Sequence, residues 1–115
     1  MTKIEHSRIP SLSLAFDNAT AAEARAHAEF DLAEVAAWAI GRSVDQPTPW
    51  LRKAQEAQRK AVAAVDAVAS EIHALPGGSM PALLLKARVA AHLKGSPEGD
   101  ALAHSIAADL CQQAA

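Results

Sequence analysis

The five histidines are the residues of this chain that most invite a search for a metal site. Di-metal centres in helical bundles use a glutamate followed three residues later by a histidine, together with carboxylates from facing helices. Here the pairs are four residues apart instead, as in Glu23 with His27 and Asp100 with His104. Pairs at that spacing are common on helix surfaces. We therefore predict no metal ligand.

Nucleophilic and phosphate-binding chemistry has equally little support. Cys111 is the single cysteine, and His104 lies two helical turns away, about 10 Å, which is too far for a nucleophile and its base. The Gly77-Gly78 pair lacks the lysine of a phosphate-binding loop and no strand precedes it. We predict no catalytic residue, no cofactor and no enzyme activity.

Four basic residues are candidates for binding a partner. They recur one heptad apart in the second predicted helix: Arg52, Lys53, Arg59 and Lys60. The whole chain has a net charge of −2, whereas nucleic-acid-binding proteins usually carry a basic excess. These side chains therefore suit a solvated or protein-binding surface better, and contact with nucleic acid is the alternative.

The elements that carry these candidate residues are predicted to be helices. The chain has 29 alanines and no tyrosine, which favours helix over sheet. Over residues 51–75, apolar and small side chains recur at alternating spacings of three and four, the seam of a helix that packs lengthwise against another. The seam consists of Leu51, Ala54, Gln58, Ala61, Val65, Val68, Ile72 and Leu75. The polar Gln58 either fixes the register of this seam or reaches solvent.

Capping residues and breakers divide the chain into four helices. We predict helix 1 over 19–44 with Asn18 or Thr20 as its cap, and helix 2 over 49–75 after Thr48. Helix 3 is predicted to start after its cap Ser79 and to run to Lys94, and helix 4 to start at Pro97 after Ser96. The predicted fold is all-α and four-helix bundle-like. Helices 1 and 2 form a long antiparallel hairpin covered by the two shorter helices, within one domain over 18–115.

Residues 1–17 are predicted to form an extended N-terminal arm. Pro10 opposes a helix through this segment. Leu12, Leu14 and Phe16 alternate with smaller residues, so an extended chain would show one apolar face. We expect such an arm to dock on its own bundle or on a neighbouring molecule.

Helix 1 carries two apolar stripes on roughly opposite sides, whereas a surface helix has one. We therefore predict that helix 1 is covered on both sides, by helix 2 and by something else. The first stripe is Ala19, Ala22, Ala26, Phe30, Ala33, Ala37, Ile40 and Val44, and the second is Ala24, Ala28, Leu32, Val35 and Ala39.

Charges along the hairpin suggest an antiparallel homodimer, and the alternative is that they are solvated and serve solubility. We expect its open end to be acidic and its loop end basic, so that two copies would bring opposite charges together. The acidic set is Glu23, Glu29, Asp31, Glu34, Asp66 and Glu71, and the basic set is Arg42, Arg52, Lys53, Arg59 and Lys60. Trp38 and Trp50 flank the loop, where they either close the hairpin tip or stand exposed as anchors for a partner.

The helix of residues 103–110 reads A-x-S-I-x-x-D-L, carried by Ser105, Ile106, Asp109 and Leu110. Together with the leucine-rich helix before it, this segment resembles small alanine-rich helical proteins of alphaproteobacteria. The resemblance implies a bacterial, intracellular helical protein without an assigned activity. A single cysteine and the lack of an apolar run of about 20 residues fit a cytoplasmic protein.

The sequence thus predicts a non-catalytic interaction or assembly protein that associates with itself through the helix 1–helix 2 hairpin. A small regulator or accessory factor that contacts nucleic acid through helix 2 is the alternative. The predicted partner-binding residues are Arg52, Lys53, Arg59, Lys60, Trp38, Trp50, Leu12, Leu14 and Phe16.

Overall fold

The structure, a computed structural model, describes residues 3–41, 48–76 and 78–114. This part of the chain contains four helices and no strand: α1 Lys3–Ala39, α2 Pro49–His73, α3 Met80–His92 and α4 Pro97–Ala114. Helices α1 and α2 pack against each other. The all-α, bundle-like prediction is therefore confirmed.

The N-terminal segment differs from the prediction. Residues 3–17 belong to α1, with Pro10 inside the helix, so the extended arm is wrong for them. Leu12 and Phe16 are both buried, and their four-residue spacing puts them on one face of a helix. Burying two large apolar side chains offsets the backbone hydrogen bond that proline removes.

The predicted start of helix 1 at residue 19 is also wrong. The Thr20 hydroxyl donates to the Asp17 carbonyl, 3.1 Å away, inside a continuous helix. A threonine bonded back to the preceding turn does not cap a new helix. At the other end α1 stops at Ala39, before the predicted residue 44. Gly41 then adopts a φ of 76°, a left-handed conformation that ends helices and suits glycine.

The predicted caps of the other three helices are confirmed. The side-chain oxygens of Thr48, Ser79 and Ser96 each accept a hydrogen bond from the backbone N–H three residues later, at 3.3, 3.4 and 3.0 Å. Each bond satisfies one of the N–H groups that a helix leaves unpaired at its start. Helix α2 ends two residues before the predicted residue 75, and α3 ends at His92 instead of Lys94.

The helical seam predicted over 51–75 is confirmed as a packing surface. Leu51, Val65 and Ile72 are fully buried, and the other members are buried or half-buried. Because this stripe lies on one side of α2, the opposite side of that helix is left for polar residues.

Contacts along the chain fall into two compact units, and α1 and α2 each contribute to both. The first unit combines the described residues up to Ala15 with those from Val68 onward. In it α3 packs on α4, the Lys86 ammonium lies 3.7 Å from the Asp109 carboxylate, and Arg88 donates to the Ser13 hydroxyl at 2.8 Å.

The second unit spans Phe16–Ala67 and is the hairpin of α1 and α2. Within the described ranges, none of the four helices combines the length and the apolar character needed to cross a bilayer.

Candidate protein interface on helix α1

The two apolar stripes of α1 have different surroundings in the hairpin. In the first stripe Ala26 and Ala37 are buried, and Phe30 and Ala33 are half-buried. This stripe therefore packs as predicted, apart from Ile40, which is exposed; Val44 lies outside the described residues.

The second stripe is exposed along its whole length. Leu32 is 72% exposed and Val35 is 63% exposed, although both are large apolar side chains. The alanines that share this side of the helix are exposed as well. We name this surface the outer face of α1; it consists of Ala21, Ala24, Ala28, Leu32, Val35, Ala36 and Ala39.

Within the described part of this chain no residue covers the second side of helix 1, so the predicted coverage of that side does not come from these residues. An apolar strip of this kind on a folded protein marks an interaction surface more often than isolated apolar residues do. Leu32 and Val35 were not among the predicted partner-binding residues. The signal that could have placed them there was the second stripe itself, since α2 can cover only one side of α1.

The register of the hairpin follows from contacts between its two helices. The Gln58 side chain is hydrogen-bonded to the His27 ring, so Gln58 lies inside the hairpin. Nearer the loop, one shallow surface pocket is lined by residues of both helices, Glu29 and Ala33 from α1 and Trp50 and Lys53 from α2 among them. Both observations describe antiparallel helices. A residue of α1 and the residue of α2 that lies beside it have numbers that add up to about 85.

This register contradicts the predicted acidic and basic ends of the hairpin. Glu29, Asp31 and Glu34 lie on the loop side of His27, alongside the α2 residues Arg52 and Lys53. The prediction misplaced them because it extended helix 1 to residue 44, whereas α1 ends at Ala39 and these carboxylates lie nearer to its loop end. With α1 running from Lys3, these carboxylates occupy its loop-proximal part. Arg42 lies outside the described residues.

Charge is separated between the two helices instead of between the two ends. Residues 16–39 of α1 carry five carboxylates and one arginine, Arg25. Residues 49–67 of α2 carry four basic side chains and two carboxylates. The outer face of α1 is therefore apolar with an acidic border, and the outer side of α2 is basic.

The four predicted basic residues, Arg52, Lys53, Arg59 and Lys60, are all exposed on α2. Glu56 is half-buried among them and forms an ion pair with Arg59. Arg52, Glu56 and Arg59 line one shallow surface pocket together with Gln55. A carboxylate in the middle of this surface reduces its attraction for phosphate groups.

The two tryptophans do not close the hairpin tip. Trp38 is 78% exposed, and Trp50 is exposed although it lines the pocket that also includes Glu29. The prediction that the two tryptophans pack at the hairpin tip is therefore wrong. Their exposure fits the alternative, in which they serve as anchors for a partner. Both side chains lie near the loop end of the apolar outer face.

The remaining predicted partner-binding residues are the three apolar ones near the N-terminus. Leu12 and Phe16 are buried, so they contribute to packing within the chain and are not available to a partner. Leu14 is exposed. The helix separates them because residues two apart point to different sides, whereas an extended strand would have aligned all three.

Groups with potential chemistry do not cluster. Across residues 3–41, 48–76 and 78–114, no set of three or more His, Cys, Asp or Glu side chains is placed to hold a metal ion. Cys111 is exposed. Lys86 is buried, but its ammonium faces Asp109 and forms part of the packing between α3 and α4.

No protein-family model, curated protein or solved structure matches this chain. The resemblance noted for the C-terminal segment therefore stays a prediction.

Proposed function

We propose that this protein is a non-catalytic helical interaction protein that associates with a second copy of itself through the hairpin of α1 and α2. The observation that carries the proposal is the outer face of α1, where Leu32 and Val35 stand exposed in a row of alanines. Removing apolar surface from water is the dominant force in protein association. We place this assembly in the bacterial cytoplasm, in keeping with the single cysteine.

The contrast between the two helices supports α1 as the contact surface. The outer side of α2 carries Arg52, Lys53, Arg59 and Lys60, which keep their charges hydrated. The outer face of α1 presents small and aliphatic side chains, which lose little when water is excluded. Interfaces are depleted in lysine and enriched in apolar residues at their centres.

The nucleic-acid alternative has a weaker basis in the described residues. Its basic strip contains Glu56, paired with Arg59, and the adjacent helix carries an excess of carboxylates. Adding duplex DNA at low salt tests it directly. A salt-dependent complex that is lost in an Arg52→Glu, Lys60→Glu variant would favour this alternative.

Solution mass by light scattering after size exclusion, over a concentration series and at low and high salt, tests the main proposal. We expect a dimer that dissociates on dilution and persists at high salt, because its contact is apolar and salt screens only charges. A monomer at every concentration and at both salts would overturn the proposal. A dimer that disappears at high salt would assign the association to charged surfaces instead.

A further inference from the structure

We infer that the second copy docks with its own α1 antiparallel to the first, with Ala28 of each copy at the two-fold axis. This inference rests on the proposed self-association and adds its geometry. The three observations behind it are the distribution of side-chain sizes on the outer face, the place of its one arginine, and the length of α1 within the hairpin.

Side-chain sizes on the outer face are complementary under this two-fold rotation. In an antiparallel pair centred on Ala28, a residue of one copy lies at the same height along the helix as the residue of the other copy whose number completes a sum of 56. Leu32 then faces the level of Ala24, and Val35 faces the level of Ala21. Each large side chain thus lies at the level of a small one, an arrangement that allows helix surfaces to interlock at separations of about 8–10 Å.

Charges at the border of the face select the antiparallel direction. Arg25 and Glu29 are both exposed on the same flank of the outer face, one turn apart. In the antiparallel pair, Arg25 of each copy lies within about 3 Å, along the axis, of the level of Glu29 of the other; these two opposite-charge approaches outnumber the one approach of Glu29 to Glu29, which is also about 3 Å. A parallel pair in the same register would place Arg25 beside Arg25 and Glu29 beside Glu29, and like charges disfavour that arrangement.

The part of α1 that belongs to the hairpin unit has the same centre. Within the hairpin unit, α1 runs from residue 16 to 39, and its midpoint lies next to Ala28. Two copies centred there overlap from residue 17 to residue 39, a length of about 34 Å. Over that overlap the apolar residues from Ala21 to Val35 lie opposite one another, and Ala36 and Ala39 lie at the levels of Thr20 and Asp17.

Charge exchange between two variants tests the pairing. Arg25→Glu makes both positions acidic and Glu29→Arg makes both basic, so each variant alone brings like charges together at two symmetric places. We expect each to weaken the dimer about tenfold. An equimolar mixture should restore dimerisation to the wild-type level, because every pair is then of opposite sign. Lys60→Glu, on the outer side of α2, is the matched control and should leave the dimer unchanged.

The outcomes separate this inference from the proposal on which it rests. A wild-type monomer overturns both. A wild-type dimer with no rescue in the mixture, or with both variants unaffected, overturns the α1–α1 pairing and leaves self-association standing. Circular dichroism of each variant establishes that these exposed substitutions keep the helices.

Chemical cross-linking gives a second readout that does not depend on charge. In a Cys111→Ser background, Ala28→Cys should cross-link efficiently with a short bismaleimide, because the two-fold axis brings the two thiols together. Ala63→Cys, which is exposed on α2, should not. Equal cross-linking of the two variants would overturn the pairing.

Discussion

Truncation of Leu32 to alanine tests whether the outer face of α1 is the contact surface. Leucine to alanine removes three carbon groups, worth about 0.8 kcal/mol each when buried, or about 2.4 kcal/mol for the side chain. Since 72% of Leu32 is exposed in the single chain, about 1.7 kcal/mol depends on covering it. A two-fold dimer covers it twice, which gives about 3.5 kcal/mol in the free energy of association.

That loss corresponds to a dissociation constant about 300-fold higher for the Leu32→Ala dimer. The single chain should be nearly unaffected, because truncating an exposed side chain changes the free energy of unfolding by about 0.5 kcal/mol or less. Sedimentation equilibrium of wild type and variant measures the dissociation constant of the dimer. Urea unfolding at a concentration where both are monomeric measures the free energy of unfolding of the single chain.

Leu84→Ala is the matched control, since Leu84 is a leucine that is 60% exposed on α3. We expect its dimer to dissociate as the wild type does. The reasoning would be refuted if Leu32→Ala dimerised as tightly as the control, or if both variants lost the same affinity. The second result would show that exposed leucines act generally and that the outer face has no special part.

Two further predictions concern the packing of α3 and α4, and both are read from urea unfolding. Gly99→Ala should destabilise the protein by about 2 kcal/mol, because a Cβ there collides with the backbone of Leu93. Gly78→Ala is the control, because a Cβ there has no neighbouring atom within 4 Å, and it should stabilise the protein by about 0.5 kcal/mol. Equal effects of the two substitutions on the free energy of unfolding would contradict the close approach of Gly99 to Leu93. Asp109→Ala leaves the ammonium of Lys86, 3% exposed, without the carboxylate 3.7 Å away, and should cost about 2 kcal/mol. Lys86→Met removes the charge itself and should be neutral or stabilising, so a loss as large as that of Asp109→Ala would show that the ion pair is not what matters.

Local signals in the sequence were sufficient to predict where three of the four helices begin. Thr48, Ser79 and Ser96 cap their helices because an N-cap hydrogen bond spans only three residues. The seam of α2 was equally predictable, since the spacing of its apolar residues depends only on the helical period. The beginning of α1 was not, because Thr20 has the local features of a cap and its hydroxyl bonds back to Asp17 instead.

The sequence by itself determined that this protein is built of helices and that α1 has two apolar sides, because composition and periodicity are properties of one segment at a time. Tertiary structure decided which side of α1 is covered and which charges lie beside each other. Those outcomes depend on the register set by contacts such as Gln58 with His27, 31 residues apart in the chain. They also depend on Leu12 and Phe16 being buried, which favours helix in a segment that its proline and its alternating pattern would otherwise extend.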